Sequence, residues 1–410
     1  MSNSKFIYEC CDCGKQFESS SELYLCPACN ATNQPNLPSK GVLKTIYDYK
    51  SLGKKVNANS LASSKYIELL PINSLDSLPP LRVGQTPLYN FNYLDGKKLP
   101  FNLFLKDDSQ NPTFSFKDRA SAIVSAYAKE KGIDTIVAAS TGNAGSSLAG
   151  ICASQKQKAI IMVPKAAPLA KLTQIVMYGA KIVPVDGTYD NAFDLSVEAT
   201  KEFGWYNRNT AFNPLTIEGK KTVSFELFEQ TNGKLPDKIF VPVGDGVIIS
   251  GVYKGFEDLL MLGLIEKMPT IVAVQSMGSS NLVDNINRAD FRIKPSNTIA
   301  DSISVDIPRN FFMAKQFIQK YAGEFILVSD DEIVNASAIL SRNTGIFAEP
   351  AATTAFAGML AYSNKGLIKD NASCIVLLTG SGLKDLKSVS SLIKIPNAVA
   401  PTIDNLKKIL

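Results

Sequence analysis

The chain has 410 residues, 45% of them hydrophobic, and a formal net charge of +5 from 43 basic and 38 acidic residues. This length and composition predict a globular protein with a large core, and the absence of a basic block gives no reason to expect a nucleic-acid or membrane partner. No segment is apolar for the length of a membrane span and the N-terminus lacks the apolar core of a signal peptide, so we expect a cytoplasmic protein.

Two Cys-x-x-Cys pairs stand near the N-terminus. They consist of Cys10, Cys13, Cys26 and Cys29. This spacing is typical of a four-cysteine zinc ribbon, whereas two disulfides are disfavoured in a reducing cytosol. Since protein thiolates would fill all four positions, we expect Zn²⁺ to be structural rather than catalytic. We predict a ribbon over residues 1–36 and a catalytic domain over 37–410.

Beyond a polar arm that extends to about residue 76, short β-branched runs alternate with helical patterns. Strands are predicted at 103–106, 135–139, 159–163, 181–185, 238–242, 270–275 and 373–379. Such alternation favours an α/β fold in which helices cover both faces of parallel sheets.

The segment Asn111-Pro112-Thr113-Phe114-Ser115-Phe116-Lys117-Asp118-Arg119 places a lysine at the start of a helix. We predict that Pro112 leads into this helix and that Ser115 caps it. A cation in the first turn opposes the helix macrodipole. Lys117 is therefore either used in chemistry or solvated beside Asp118.

Three loops of small residues follow predicted strands, where open α/β sheets bind ligands. They are Ser140-Thr141-Gly142-Asn143-Ala144-Gly145-Ser146-Ser147, Gly244-Asp245-Gly246-Val247-Ile248, and Thr379-Gly380-Ser381-Gly382. The first suits a carboxylate at a helix N-terminus. The second lacks the Gly-Lys-Ser/Thr ending of a nucleotide P-loop, so a smaller phosphate group fits better. The third offers hydroxyl groups.

A lysine, an asparagine loop, a phosphate loop and a hydroxyl loop together indicate a cofactor that carries an aldehyde and a phosphate. Pyridoxal 5′-phosphate (PLP) fits, because a lysine can hold it as a Schiff base and, once released, can act as a general base. The sequence contains no histidine, which excludes serine and cysteine triads and leaves proton transfer to lysine, carboxylates, tyrosine or a cofactor.

These motifs, with Glu218-Gly219-Lys220-Lys221-Thr222 and the cysteine pairs, make the chain resemble the threonine synthase branch of the fold type II PLP-dependent enzymes. The resemblance implies two three-layer α/β lobes with parallel sheets that close over the cofactor, the small lobe lying near residues 119–212. It also implies a carbon–oxygen lyase that converts O-phospho-L-homoserine and water into L-threonine and phosphate. A homodimer is compatible with this resemblance.

The resemblance also implies a role for each motif. Lys117 would hold the cofactor, Asn143 would bind the 3′-oxygen of its ring, and Thr379 would meet its pyridine nitrogen. The phosphate of the cofactor would lie on Gly244, Asp245, Gly246, Val247 and Ile248. The amino-acid substrate would be bound by Ser140, Thr141, Asn143 and Ala144.

Several positions depart from the family pattern where a phosphorylated substrate would bind. Asp245 stands for an asparagine, Ala211 for a serine, Thr216 for an arginine and Ala144 for a threonine, so anion donors are lost. One explanation is compensation by other cations, namely Lys220, Lys221, Arg208 or Arg309. Another is β-replacement or β-elimination on serine, O-phosphoserine or a similar amino acid, as in cysteate synthases, cysteine synthases and ammonia-lyases. A third is a scaffold without catalytic activity.

Overall fold

Three β-sheets organise the part of the chain that the computed structural model describes, residues 4–393 and 395–410. The strands are β1 Phe6–Cys10, β2 Gln16–Glu18, β3 Leu43–Tyr47, β4 Leu88–Leu94, β5 Lys97–Asp107, β6 Thr135–Ala139, β7 Lys158–Pro164, β8 Lys181–Val185, β9 Tyr206–Asn207, β10 Lys238–Pro242, β11 Thr270–Ser276, β12 Glu324–Val328 and β13 Ser373–Leu378. The α-helices are α1 Pro27–Asn30, α2 Tyr49–Leu52, α3 Ala58–Ser63, α4 Lys117–Glu130, α5 Asn143–Gln155, α6 Leu169–Met177, α7 Tyr189–Phe203, α8 Leu215–Lys220, α9 Thr222–Gln230, α10 Val247–Met261, α11 Asn281–Asn285, α12 Phe311–Lys320, α13 Asp330–Thr344, α14 Pro350–Asn364 and α15 Ile403–Lys407. None of the helices in these ranges is long and apolar enough to cross a membrane.

The largest sheet has the order β12-β11-β10-β13-β5-β4, and only the β4–β5 pair is antiparallel. Alternate residues of β10 enter different cores: Ile239 and Val241 pack in the core that includes α10, and Phe240 packs in the core that includes α14. Because successive side chains of a strand point to opposite faces, this division shows that helices cover both faces of the sheet.

The second sheet has the order β8-β7-β6-β9 and is parallel throughout. Every residue of β6 is buried, as expected of a strand covered on both faces. The predicted α/β class with two parallel sheets is thus confirmed, and all seven predicted strands are present. Within these two sheets the prediction missed β4, β9 and β12, because β4 and β12 lie at a sheet edge with partly exposed patterns and β9 has only two residues.

The third sheet is small and antiparallel, in the order β2-β1-β3. Its third strand lies beyond residue 36, the predicted end of the ribbon, and that boundary stays a prediction. The prediction of a polar arm up to residue 76 is wrong. Leu61, Leu69, Leu70 and Ile72 in this segment are buried in the same core as α10, so the arm is packed on the main body.

The predicted cap of α4 is also wrong. The helix begins at Lys117, Phe116 is its N-cap residue, and the buried Ser115 hydroxyl has no hydrogen-bond partner among the described residues. Ser115 instead forms an antiparallel bridge with Gly380, and the Phe116 N–H donates to the Thr379 carbonyl oxygen over 2.9 Å. A long-range contact therefore fixes this helix start, which local capping rules do not include.

Candidate active site

A cavity of about 1150 Å³ lies at the carboxyl ends of β6 and β10, the strands that precede two of the predicted loops. Its lining includes the predicted residues Lys117, Ser140, Thr141, Asn143, Ala144, Gly244, Asp245, Gly246, Val247 and Ile248. Loops at the carboxyl ends of parallel strands are the usual place for ligands in open α/β sheets. The fold thus brings two loops and the lysine into one space, although they are distant in sequence.

Lys117 occupies the first position of α4, is half-buried and faces this cavity. Burial lowers the pKa of its amine, the Arg208 charge lowers it further, and the Glu349 carboxylate acts in the opposite direction. A lowered pKa increases the fraction of neutral amine at a given pH. Neutral amine is the form that attacks a carbonyl and accepts a proton.

Asn143 is the first residue of α5, and its side chain is held by a buried carboxylate that the sequence analysis missed. The Asn143 amide nitrogen donates to both carboxylate oxygens of Glu349 over 3.0 Å, and also to the Ser302 hydroxyl over 3.3 Å. Glu349 is only 4% exposed, and burial raises the pKa of its carboxyl. This carboxylate fixes which edge of the Asn143 amide faces the cavity. In the sequence, Glu349 is marked only as an acidic residue directly before an apolar helix that begins with proline.

The loop between β6 and α5 leaves the first turn of the helix accessible. The N-cap residue is Gly142, which has no side chain to bond the first N–H groups. A Cβ on Gly145 would lie 2.4 Å from the Ser140 carbonyl oxygen, so only glycine allows the helix to start this close to the strand. The free N–H groups at this helix start suit an anion such as a carboxylate.

The loop between β10 and α10 has the same character. Gly246 has a φ of 84°, is the N-cap residue of α10, and provides no side-chain hydrogen bond. A Cβ on Gly244 would lie 2.8 Å from the Ile303 Cα atom, and one on Gly246 would lie 2.9 Å from the Ala314 Cβ atom. The backbone therefore approaches its surroundings as closely as glycine permits. The first turn of α10 remains available to a phosphate.

Asp245 lines the cavity within this loop. Its carboxylate accepts a hydrogen bond from the Arg309 backbone N–H over 3.3 Å. Burial raises the pKa of Asp245, whereas the Arg309 charge lowers it. Burial thus disfavours the charged form of this carboxyl.

Thr379 does not belong to the cavity lining. It is 5% exposed and lies directly after β13. Its carbonyl oxygen accepts the Phe116 N–H, one residue before Lys117. The structure therefore places Thr379 behind the helix start that carries the lysine.

Two buried cations line the cavity without a salt-bridge partner among the described residues. Arg208 donates to the hydroxyls of Ser121 and Thr210 and to the Lys117 carbonyl, and the Lys220 amine donates to the Thr216 carbonyl at 3.4 Å. Burial lowers the pKa of Arg208 to about 10 and that of Lys220 well below its usual value. Cations this deep need a counter-anion, which indicates an anionic ligand.

The other two cations considered as compensation have different surroundings. Lys221 does not line the cavity, and its amine pairs with Glu218 at 2.5 Å and Asp258 at 2.7 Å. Arg309 lines the cavity, but its guanidinium lies 3.9 Å from the centre of the Phe193 ring and pairs with Asp190. Within the described part of the chain, Lys220 and Arg208 are therefore the buried lining cations whose charge is left for a ligand.

The four predicted metal ligands form a separate cluster. The sulfur atoms of Cys10, Cys13, Cys26 and Cys29 all lie within 4.8 Å of one another. Two of the separations, Cys10 to Cys29 and Cys13 to Cys26, are 3.8 Å. A tetrahedron with Zn–S bonds of about 2.3 Å has edges of about 3.8 Å, so the cluster has the size of a zinc site.

Comparisons with known proteins agree with this geometry. Residues 80–380 match the family described as pyridoxal-phosphate dependent enzyme. The threonine synthase of Methanocaldococcus jannaschii is 33% identical over 98% of this chain and 99% of its own length, and that of Methanosarcina acetivorans is 31% identical over 98% and 97%. Among solved structures, maize serine racemase has the same fold, with a TM-score of 0.64, 25% identity and coverage of 76% of this chain and 92% of the racemase. The chain belongs to the PLP-dependent enzymes of fold type II, in their threonine synthase branch.

Proposed function

We propose that this chain is a threonine synthase that converts O-phospho-L-homoserine and water into L-threonine and phosphate. One observation carries the proposal: Lys117 shares its cavity with two uncapped helix starts and with two buried cations that lack a salt-bridge partner among the described residues. An amino acid with a phosphate ester has a carboxylate and a phosphate to place on such groups. The curated relatives that match nearly the whole chain have the same named activity.

The residues present fit PLP. We propose that Lys117 binds its aldehyde, that Asn143 binds the ring oxygen, and that the first turn of α10 with Gly244–Ile248 binds its phosphate. The absence of a side-chain cap at Gly246 supports the phosphate position, because it leaves backbone N–H groups at the start of α10 free. Thr379 is proposed for the pyridine nitrogen. When bound, PLP supplies an electron-accepting ring that makes C–H bonds next to the amino group easier to break.

The protein then has to move protons and hold the substrate in place. The reaction requires proton transfers at Cα, Cβ and Cγ, loss of phosphate from Cγ, and addition of the hydroxyl group of water at Cβ. Lys117 is proposed to accept and return these protons, because its lowered pKa brings it closer to neutral pH. The Glu349 carboxylate orients Asn143 and thereby the ligand oxygen that Asn143 binds.

The substrate carboxylate is assigned to the first turn of α5, with Ser140, Thr141, Asn143 and Ala144. The substrate phosphate is assigned to Arg208 and Lys220. Lys220 lies one helical turn after Thr216, which stands where the family pattern has arginine, so a cation is supplied from the same helix face. This arrangement supports the explanation that the lost donors are compensated.

The cysteine cluster is proposed to bind a structural zinc ion, as its sulfur separations support. A cytoplasmic location is proposed as well, because four reduced thiols are needed for such a site. We propose a ribbon over residues 1–36 and a catalytic domain over 37–410 that contains a small lobe near residues 119–212, as the sequence motifs and the family resemblance imply. The strand β3 of the catalytic domain pairs with the ribbon strand β1.

The decisive experiment incubates the purified holoenzyme with O-phospho-L-homoserine and measures phosphate and threonine in parallel. Equal amounts of both products are expected, and absence of both above background would end the proposal. Ala144, Ala211 and Thr216 provide fewer anion donors than the family pattern, which favours a β-elimination or β-replacement enzyme as the second candidate. Serine, threonine and O-phosphoserine are therefore tested in parallel, with 2-oxo acid and ammonia measured for all three and phosphate for O-phosphoserine, and turnover of one of these alone would support the second candidate.

A further inference from the structure

The end of the N-terminal ribbon and the residues just after it form part of the cavity wall. The lining includes Asn33, Gln34, Pro35, Asn36, Leu37 and Ser39. These residues lie in the 33–39 loop, between α1 and β3, and none of them is needed for the chemistry proposed above. The cavity that contains Lys117 is therefore completed by residues more than seventy positions earlier in the chain.

Both ends of the 33–39 loop are bonded to the metal-binding knuckles. At its start, the Asn33 side chain bridges the loop, because its oxygen accepts the Lys40 N–H over 2.7 Å and its nitrogen donates to the Asn30 side chain over 2.9 Å. At its end, Gly41 donates to the Asp12 carboxylate over 2.6 Å and accepts the Cys26 N–H over 2.8 Å. The geometry of the loop thus depends on the geometry of the cysteine cluster.

The ribbon also supports the segment that carries Arg208. The Tyr24 hydroxyl, two residues before Cys26, accepts the Asn207 backbone N–H over 3.0 Å. The Tyr24 ring stacks on Phe212 with the ring centres 4.6 Å apart. Tyr24 is buried, so this contact is shielded from water. Arg208, the proposed ligand of the substrate phosphate, therefore lies between two residues that contact Tyr24 of the ribbon.

We propose that the ribbon is a working part of the substrate site: a metal ion at the four cysteines fixes the 33–39 loop and the 207–212 segment, and so sets the affinity for the anionic substrate. The identity of the substrate rests on the proposed function. The dependence of the 33–39 loop and the 207–212 segment on the ribbon does not. Among the described residues, the ribbon makes no side-chain hydrogen bond to Lys117, Asn143 or Gly244–Ile248, so cofactor binding should not depend on it.

The test uses the full-length holoenzyme with the substitutions Asn33→Ala and Tyr24→Phe. Tyr24→Phe removes the hydrogen bond to Asn207, and Asn33→Ala removes those to Asn30 and Lys40, without touching a cysteine or a cofactor group. We expect the KM for O-phospho-L-homoserine to rise about 5–10-fold, since a net hydrogen bond is worth ~1 kcal/mol, with kcat and the visible absorbance of the bound cofactor nearly unchanged. Glu18→Ala, on an exposed ribbon strand, is the matched control and should leave KM unchanged.

A second measurement is independent of turnover. Hydrogen exchange of the holoenzyme is compared before and after removal of the metal by a chelator. Faster exchange in residues 33–41 and 207–212, with residues 117–130 unchanged, is expected. If the wild-type enzyme does not consume O-phospho-L-homoserine, the proposed function fails, but this exchange pattern still decides whether the ribbon controls both segments. Unchanged exchange in both segments, or both variants with wild-type KM, would show that the ribbon only stabilises the fold.

Discussion

The Asn143 side-chain amide donates to both carboxylate oxygens of Glu349 at 3.0 Å, across 206 positions of sequence. The pair connects the start of α5 to the start of α14, and it is buried at both ends. If the Glu349 carboxylate lost its Asn143 donor, it would stay buried without these hydrogen bonds, which costs free energy. The effects of substituting the two residues should therefore depend strongly on each other.

Substitution of Glu349 should therefore disturb the site through Asn143. We expect Glu349→Gln to lower kcat and to weaken cofactor binding about 10-fold or more, because a hydrogen bond to a charged group is worth ~1.5–3 kcal/mol. Absorbance titration of the apoenzyme with PLP measures the affinity. In a double-mutant cycle with Asn143→Ala, the two effects should be less than additive. Additive effects would contradict the coupling, and Asp331→Asn on the exposed face of α13 serves as the control.

The lowered pKa of Lys117 predicts a pH dependence. The ordinary lysine pKa is 10.5, and burial lowers it, so neutral amine persists at lower pH than in free lysine. The rate of PLP uptake by the apoenzyme should fall as the pH decreases through the lowered pKa, with its midpoint below 10.5. Free lysine in the same buffers gives the reference curve. Coincident midpoints for enzyme and free lysine would refute the assignment, and Lys117→Ala should abolish the visible absorbance of the bound cofactor.

Lys220 provides a test in which activity and stability should move in opposite directions. The Lys220→Met variant should raise the KM for O-phospho-L-homoserine about 10–100-fold, since one charge-assisted contact to phosphate is lost. Its melting temperature should stay equal or rise, because a buried cation without a carboxylate partner is costly. Lys220→Arg retains the charge and should recover part of the affinity. A large loss of stability in Lys220→Met, with an unchanged KM, would show that Lys220 is a structural cation.

The neighbouring Lys221 should behave in the opposite way. Its amine is fully buried and bonds to Glu218 and Asp258, so removing it leaves the buried Glu218 carboxylate without a cation and Asp258 with Lys254 alone. Lys221→Met should destabilise the protein by ~3–5 kcal/mol, as measured by chemical denaturation. The control is Lys158→Met, which breaks an exposed pair with Asp134 and should change stability by at most ~0.5 kcal/mol. Equal effects of the two substitutions would contradict this account.

The sequence was sufficient to predict the parts of the site that depend on local patterns. Small residues after buried strands marked the loops that contain Asn143 and Gly244, and both line the cavity. Local rules failed where distant residues decide the structure. Ser115 does not cap its helix because it bridges to Gly380, and Glu349 gives no sign in sequence that it meets Asn143. The prediction of a polar arm up to residue 76 failed because the buried leucines of this segment are scattered among polar residues.

The position of β13 has a consequence for how the protein is made. This strand, Ser373–Leu378, lies between β10 and β5 in the interior of the six-stranded sheet, and the residues just after it hold the start of α4. Contacts between such distant parts of a chain form slowly, since a long loop must close first. During synthesis, the sheet stays split into two parts until β13 has left the ribosome. Lys117 therefore cannot reach its final position until β13 and Thr379 have been made.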